Sequence, residues 1–183
     1  MHRRDFLAGL GALGLSGLVG AQEHSAPLRG PDVIFVPTPN ETVDGMLKLA
    51  GVTAKDTVYD LGCGDGRIVI TAAQKYGARG VGIDIDPQRI AEATENVTRA
   101  KVAERVRIVR GDLFEADISE ATVVTLYLLT DLNLKLRPKL LRDLKPGTRV
   151  VSHAFRMGDW KPEREVEVGG SNIMLWRVPP QKP

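Results

Sequence analysis

The sequence predicts an α/β fold in which helices cover both faces of a seven-stranded sheet and the last strand runs antiparallel. Two observations carry this prediction. Short β-rich runs alternate with segments whose apolar residues recur at helical spacing, as parallel βαβ units require. Two further β-rich runs flank the segment 169–172, Gly-Gly-Ser-Asn, which is typical of a closing hairpin. The expected arrangement is Rossmann-like, with one sheet as the frame of the domain.

The predicted elements follow one another between residues 42 and 178. Thr42 is the predicted N-cap of the first helix, and Asp86 is expected to cap the third helix, which has Pro87 in its first turn. Pro138 is expected to break or restart the fourth helix. The predicted helices cover 42–50, 67–76, 87–100 and 133–144; the predicted strands cover 57–61, 80–84, 106–109, 122–128, 148–152, 164–168 and 173–178.

The composition is that of an ordinary globular domain. The 183 residues include 25 Lys and Arg against 23 Asp and Glu, which gives a net charge of +2. This balance offers no electrostatic reason to expect nucleic acid as a partner. The single cysteine, Cys63, cannot form an internal disulfide, and the three histidines have no metal-ligand spacing, so we expect no bound metal.

The N-terminus resembles a bacterial twin-arginine (Tat) export signal. Arg3 and Arg4 precede an uncharged, glycine-rich stretch, 6–21, that ends in small residues. This stretch is short and weakly apolar for a membrane span, but a retained anchor is an alternative. We therefore expect an exported or membrane-anchored protein, with a cytoplasmic location as the other possibility. The predicted parts are the signal or anchor at 1–21, a linker at 22–32 and the folded domain at 33–183.

A glycine-rich turn after the first predicted strand carries the strongest functional signal. Residues 58–67 read Val-Tyr-Asp-Leu-Gly-Cys-Gly-Asp-Gly-Arg. Gly62 and Gly64, with Cys63 between them, allow the backbone to turn tightly and lie against a ligand. Asp60 suits a ligand with an amino group and repels phosphate, whereas a dinucleotide needs a pyrophosphate seat, usually Gly-x-Gly-x-x-Gly. S-adenosylmethionine has an amino-acid end and no phosphate, so it fits this turn better.

Two further predicted strand ends carry acids. Asp84 ends the second strand, where it can accept hydrogen bonds from both ribose hydroxyls of a nucleoside. Gly111, Asp112 and Leu113 follow the third strand; Asp112 is placed to accept from an adenine amino group, and Leu113 or Phe114 to cover the ring. Because open α/β sheets bind ligands at the carboxyl ends of their strands, these loops are predicted to form one cofactor site.

These motifs resemble those of the class I S-adenosylmethionine-dependent methyltransferases. The segments 60–66, 82–84 and 111–112 are similar to the first three motifs of that family. A narrower resemblance, to a group of small protein-lysine methyltransferases with archaeal and mitochondrial members, rests on 35–39, 58–70, 121–129 and 144–153. Together the resemblance covers about residues 33–162.

The resemblance implies methyl transfer to a lysine side chain of a protein. Tyr127 would line the acceptor channel, and Thr38, in the proline-rich loop before the first strand, would contact the cofactor or the acceptor. Many amine and amide methyltransferases carry Asn/Asp-Pro-Pro-aromatic at the end of strand four. This chain has Leu-Tyr-Leu-Leu at 126–129, which disfavours nucleobases and glutamine as acceptors.

Two other functions stay open at this point. The chain is also compatible with a small-molecule methyltransferase and with a non-catalytic module that binds S-adenosylmethionine. A nicotinamide-dependent oxidoreductase would need a pyrophosphate loop, which the glycine turn does not provide. The oligomeric state and the identity of the acceptor are left open by the sequence.

Overall fold

The computed structural model of the chain describes residues 28, 30, 31 and 34–180, and its described ranges contain four helices and seven strands. None of the helices in these ranges combines the length and apolar character that a bilayer span requires. The helices are α1 (Asn40–Ala50), α2 (Arg67–Tyr76), α3 (Pro87–Arg99) and α4 (Thr130–Asp143). The strands are β1 (Thr57–Leu61), β2 (Arg79–Asp84), β3 (Val106–Arg110), β4 (Val123–Leu126), β5 (Arg149–His153), β6 (Arg164–Val168) and β7 (Ser171–Arg177).

The strands form a single sheet in the order β3-β2-β1-β4-β5-β7-β6. Strands β1 to β5 pair in parallel, and β7 lies antiparallel between β5 and β6. The predicted seven-stranded α/β fold with an antiparallel last strand is therefore confirmed. The β6–β7 hairpin turns through Gly169 and Gly170, whose φ angles of 58° and 74° are the positive values that a tight hairpin turn requires.

Both faces of the sheet are covered, because side chains alternate along each strand. The face that packs against α1 and α2 includes Val58, Val123, Met46, Leu47 and Ala72. The face that packs against α4 includes Tyr59, Val124, Leu136, Leu140 and Trp176. Helix α3 joins the first face, where Val97 packs with Val69 and Val106. The strand ends are thus the part of the sheet left for binding.

Helix α1 starts earlier than predicted, and Thr42 is not its N-cap. The helix begins at Asn40 directly after Pro39, whose carbonyl accepts a hydrogen bond from the Val43 amide at 2.9 Å. A proline disfavours helical geometry in the residue before it, so Thr38 cannot join the helix and the boundary falls just beyond Pro39. Thr42 is instead fully buried on the inner face of the helix.

Strand β4 is shorter than the predicted run 122–128. It ends at Leu126, which pairs with Leu61, the last residue of β1. Beyond Leu61 the neighbouring chain turns into the glycine loop, so β1 offers Tyr127 no partner to extend the ladder on that side. The end of β1 therefore determines where Tyr127 leaves the sheet.

Helix α4 begins at Thr130, three residues before its predicted start. The amide of Asn133 donates to the carbonyl of Leu129 at 3.0 Å, which closes the first turn. Pro138 lies inside the helix and does not end it. Packing of Leu136 and Leu140, both fully buried, offsets the backbone hydrogen bond that the proline removes.

A polar network ties the amino ends of three strands together. The carboxylate of Asp56 accepts hydrogen bonds from the Thr53 amide at 2.8 Å and the Thr122 hydroxyl at 2.7 Å. It also pairs with the guanidinium of Arg149, which reaches the Ala50 carbonyl at 2.8 Å. Burial raises the pKa of Asp56, but these hydrogen bonds and the Arg149 charge outweigh it, so its pKa lies below the ordinary value.

The N-terminal predictions fall outside this description. The signal or anchor at 1–21 lies wholly outside the described residues, and of the linker at 22–32 only three residues are described. Both remain predictions.

Candidate active site

The glycine loop after β1 is held against β2. The amides of Gly62 and Cys63 both donate to the carbonyl of Ile83, at 2.8 and 2.9 Å. Gly64 and Gly66 have φ angles of 52° and 79°, values that side chains disfavour. The loop can follow this path because glycine occupies these positions, and it delivers the chain into the N-terminus of α2.

Asp84 fixes the middle of this loop from the end of β2. One of its carboxylate oxygens accepts from the Gly64 amide at 2.8 Å, and the other accepts from the Asp86 amide at 3.0 Å. Asp86 in turn caps α3 by accepting from the Gln88 amide at 2.8 Å, which confirms the predicted cap. A second-strand carboxylate therefore lies beside the glycine loop, as predicted.

Asp60 is a buried carboxylate at the carboxyl end of β1, only 3% exposed. The hydroxyl of Thr125 on β4 donates to it at 2.8 Å. Burial raises the pKa of Asp60 to about 7; the Thr125 hydrogen bond opposes this rise, and the carboxylates of Asp84 and Asp65 add to it. Such a carboxylate is well suited to a cationic group, which would favour its ionised form.

Asp65 is engaged inside the protein. Its carboxylate pairs with the Arg67 guanidinium at 2.6 Å, and Arg67 also donates to the backbone carbonyl of Thr38 at 2.9 Å. Burial raises the pKa of Asp65, but the hydrogen bonds and charge of Arg67 lower it more, so its pKa lies below the ordinary value. Arg67 thus links the glycine loop to the segment before α1.

Residues 34–39, which we call the strap, run from beside the glycine loop to the start of α1. The ring of Phe35 lies so close to Gly64 that a Cβ atom there would be 2.1 Å from it. The guanidinium of Arg89 stands 4.8 Å from the centre of the same ring. Gly64 therefore serves a close approach as well as a turn, and the strap covers part of the loop.

Three aromatic side chains stack where β4 and β5 end. The Tyr127 and His153 rings are 3.8 Å apart at an interplanar angle of 25°, and Phe155 follows Tyr127 at 6.1 Å. The Thr38 hydroxyl lies 3.4 Å from Nδ1 of His153. The strap and the end of β4 thus meet at His153, which brings together the two residues predicted to serve the acceptor.

The turn after β3 forms the remaining side of the candidate site. The Gly111 amide donates to the carbonyl of Asp84 at 2.9 Å. The carboxylate of Asp112 accepts from the Phe114 amide at 2.9 Å, which shapes the turn, and Leu113 packs against the core beside it.

One pocket gathers nearly all the predicted site residues. Gly64 is the exception: its amide faces Asp84 and its Cα faces the Phe35 ring. The predicted residues that line the pocket are Thr38, Asp60, Gly62, Cys63, Asp84, Gly111, Asp112, Leu113 and Tyr127. Phe35 and Arg89 also line it and were not singled out in the sequence. Phe35 belongs to the segment 35–39 that carries the family resemblance, which is the sequence signal that could have indicated it, whereas nothing in the pattern of α3 indicates Arg89.

The pocket is built for a cation and for hydroxyl or amino groups. Asp60, Asp84 and Asp112 supply carboxylates at the ends of three neighbouring strands. Such a lining repels a pyrophosphate. Within the described ranges no cluster of His, Cys, Asp and Glu has a metal-binding arrangement. Burial raises the pKa of the Cys63 thiol well above its usual value, which makes it a poor nucleophile.

Comparison with known proteins identifies similar chains. A family model described as the ANTKMT methyltransferase domain matches residues 60–164. A protein-lysine N-methyltransferase from Saccharolobus islandicus is 51% identical over 144 residues, which cover 78% of this chain and 89% of the relative. The adenine nucleotide translocase lysine N-methyltransferase of Mus musculus is 31% identical over 121 residues, 66% of this chain. This match spans 53% of the mouse protein, about half of its length.

The solved structures include a similar chain with a differently named activity. The crystal structure of an RNA methyltransferase from Salinibacter ruber, in complex with S-adenosyl-L-homocysteine, has 57% sequence identity and a TM-score of 0.79. The match covers 81% of this chain and 97% of that chain.

Proposed function

Because the chain belongs to the ANTKMT methyltransferase domain family, we propose that it transfers the methyl group of S-adenosylmethionine to lysine side chains of proteins. The observation that carries this proposal is the pocket itself, in which three strand-end carboxylates surround a glycine loop. The relative of 51% identity, a protein-lysine N-methyltransferase, supports the acceptor class.

The residues of the pocket fit the cofactor. Asp60 would hold its ammonium group, because a buried carboxylate with a raised pKa gains most from a cation. Asp84 would accept from the ribose hydroxyls, and Asp112 with Leu113 would receive the adenine ring. The glycine loop admits a ligand against its backbone because Gly62 carries no side chain.

When bound, S-adenosylmethionine supplies a sulfonium methyl group, so the acceptor nitrogen forms a bond to carbon while the carbon–sulfur bond breaks and sulfur keeps the electron pair. The acceptor lysine must react as a neutral amine, yet the pKa of its ammonium group is near 10.4 in water, so it has to lose a proton first. Tyr127 and Leu128 give the acceptor side of the pocket apolar walls. Such walls exclude water and lower the pKa of an amine that enters.

Exposed apolar side chains at the pocket support a protein as acceptor. The large hydrophobic side chains that stay exposed in the described residues are Leu28, Ile34, Phe35, Val36, Leu129 and Leu134. Three of them, Ile34, Phe35 and Val36, line the pocket. Apolar surface of this kind favours contact with another protein. Phosphate backbones instead need free cations, and Arg67 and Arg89 are paired with Asp65 and Glu92.

RNA is the second candidate acceptor, because the Salinibacter ruber protein of 57% identity is named an RNA methyltransferase. The two candidates share the fold and the cofactor, so they differ only in what enters the pocket. The balanced charge of this chain, +2 overall, gives RNA little electrostatic support.

The proposal is tested by following a labelled methyl group. The full-length chain is incubated with tritiated S-adenosylmethionine and either RNase-treated cell protein or protein-free RNA, and labelled proteins are mapped by mass spectrometry. We expect label on lysine nitrogen in the protein fraction, and its loss in Asp84→Ala. The control is Asp44→Asn, which changes an exposed carboxylate on α1 that pairs with Lys75 at 2.6 Å.

Other outcomes identify the competing functions. Label confined to RNA would establish the second candidate, and label confined to small metabolites would indicate a small-molecule methyltransferase. A chain that binds S-adenosylhomocysteine but labels nothing would be a binding module. The predicted export or membrane anchoring is a separate proposal, tested by cell fractionation with N-terminal sequencing of the recovered protein.

A further inference from the structure

Thr38 and His153 form a buried polar pair at the edge of the pocket. Thr38 is 4% exposed and His153 is 3% exposed, although they are 115 residues apart in the chain. The Thr38 hydroxyl and Nδ1 of His153 are 3.4 Å apart. Thr38 lines the pocket, whereas His153 stands behind it. His153 can therefore influence a bound molecule through Thr38.

The surroundings of His153 keep its ring neutral. Tyr127, the residue after β4, stacks ring on ring with His153. Ile173, opposite on β7, and Thr38 on the strap are uncharged. Burial lowers the pKa of His153 below its ordinary value. At neutral pH one ring nitrogen is then a hydrogen-bond acceptor.

We propose that His153 is a positioning residue that fixes the direction of the Thr38 hydroxyl. The Thr38 hydroxyl donates a hydrogen bond to Nδ1, so the oxygen of Thr38 keeps its lone pairs for an N–H of the acceptor amine. A neutral amine held by one N–H keeps its own lone pair free to attack. This role rests on the proposed transfer to an amine. It explains why the His153 ring, which stacks on Tyr127, lies next to Thr38 of the strap.

The tautomer follows from this arrangement. A neutral ring that accepts at Nδ1 carries its proton on Nε2. If His153 gained a second proton, Nδ1 would become a donor, and the Thr38 hydroxyl would turn to donate into the pocket. The amine would then meet a donor where its N–H needs an acceptor, and a new positive charge would stand next to the site.

Four substitutions separate this role from simple packing. Thr38→Val removes the hydroxyl at nearly constant shape, and Thr38→Ser keeps it. His153→Phe keeps the stack on Tyr127 without an acceptor, and His153→Gln restores an uncharged acceptor. The assay uses the peptide that carries the lysine mapped above, at saturating S-adenosylmethionine. We expect kcat to fall at least tenfold in Thr38→Val and His153→Phe, with S-adenosylhomocysteine affinity unchanged.

Non-additivity and rescue provide the decisive comparison. Combining Thr38→Val with His153→Phe should cost no more than either change alone, because both remove the same interaction. Thr38→Ser and His153→Gln should recover most of the lost kcat. Additive losses, or a His153→Phe enzyme that retains full kcat, would overturn the proposal.

The pH profile gives a second readout. A free lysine with a pKa near 10.4 makes the logarithm of kcat/KM rise with pH at a slope of about one below that value. Protonation of His153 should steepen this slope toward two in the acidic range, and His153→Gln should restore a slope of one. A steepened slope that persists in His153→Gln would contradict the inference.

A readout independent of turnover is the tautomer itself. Nitrogen-15 NMR of the full-length protein should show Nε2 protonated and Nδ1 unprotonated in His153 at pH 7.5, and Thr38→Val should shift the Nδ1 signal. The opposite tautomer would overturn the proposal. If no lysine peptide were methylated under any condition, the proposed function would fail, yet the tautomer result would still stand on its own.

Discussion

The carboxylate of Asp60 is buried, accepts a hydrogen bond from the Thr125 hydroxyl, and has a pKa raised to about 7. A carboxylate in this state is half protonated near neutral pH when no cation is close. Binding an ammonium group would shift it to the ionised form. The affinity for the cofactor should therefore depend on pH near neutrality, whereas a surface aspartate is already ionised there and would cause no such dependence.

We expect the dissociation constant of S-adenosylhomocysteine to be about tenfold higher at pH 6 than at pH 8, because ligand and proton compete for the Asp60 carboxylate. Titration calorimetry across this range measures it. In Asp60→Asn the binding should be weak at both pH values and nearly independent of pH. A wild-type affinity that stays flat would show that Asp60 is ionised before the ligand binds.

The same carboxylate affects the stability of the ligand-free protein. Its folded-state pKa, about 7, is above the unfolded value of 3.8, so its contribution to stability is present below 3.8 and is lost as pH rises through 7. We expect Asp60→Asn to be more stable than the wild type at pH 8 and to lose this advantage toward pH 4. Urea unfolding at several pH values measures the difference.

The sequence indicated most individual site residues but not how they meet. Asp60, Asp84 and Asp112 follow strand ends, and parallel strands bring such ends to one edge, so their grouping was predictable. The contact between Thr38 and His153 joins residues 115 positions apart and depends on the path of the strap. No local pattern encodes that path, so the position of His153 behind Thr38 could not be predicted.

At the scale of elements, the turn of the closing β6–β7 hairpin allows the conformational cost of a positive φ angle to be measured without a steric clash. Gly169 and Gly170 both have positive φ angles, but only Gly169 has a neighbour, Glu41, at 3.0 Å from a hypothetical Cβ. Around Gly170 there is open space within 4 Å. A substitution at Gly170 therefore reports the conformational cost of the turn alone.

We expect Gly170→Ala to lower the free energy of unfolding by about 1–2 kcal/mol, the cost of a left-handed backbone for an L-residue. Gly170→Asn should cost less than half as much, because asparagine tolerates this region. Urea denaturation measures both, and methyl transfer should be unchanged because Gly170 does not line the pocket. Equal losses in the two variants would mean that the turn fails for another reason.

Element boundaries were predicted best where local chemistry decides them. Helix α2 and strands β1 and β6 have the predicted bounds, because glycines or a clear alternation mark their ends. Helix α1 begins at Asn40 rather than at the predicted Thr42, because Pro39 keeps the preceding residue out of the helix and so fixes the boundary. Strand β4 ends where its partner β1 ends. The second of these is a tertiary effect, so it could not be seen in the segment itself.

For the whole molecule, the carboxyl ends and the amino ends of the strands have different roles. The carboxyl ends of the strands form the pocket, with the strap beside it. The amino ends carry the Asp56 network with Thr53, Thr122 and Arg149, which holds α1, β1, β4 and β5 in register. Stability and binding should therefore be separable by mutation.

Asp56→Asn should lower the free energy of unfolding by roughly 2 kcal/mol, because it leaves the partly buried guanidinium of Arg149 without its charge partner. The pKa of Asp56 is lowered in the folded state, so its contribution is present above the unfolded value of 3.8 and is lost as pH falls through the folded value. The difference between variant and wild type should thus shrink in acid. Under conditions in which Asp56→Asn stays folded, its affinity for S-adenosylhomocysteine should match that of the wild type. A loss of affinity would mean that the amino ends of the strands influence the pocket at their carboxyl ends.

The described chain enters this fold beside the pocket, where Pro31 and Ile34 are part of the lining. It leaves at the other end of the sheet, where the Val178 amide donates to the Thr148 carbonyl at 2.9 Å. A fusion partner attached at residue 31 would consequently stand beside an incoming acceptor, whereas one attached at residue 180 would stand at the opposite end of the sheet. For engineering, affinity handles and surface tethers belong at the carboxyl terminus when large proteins must reach the site.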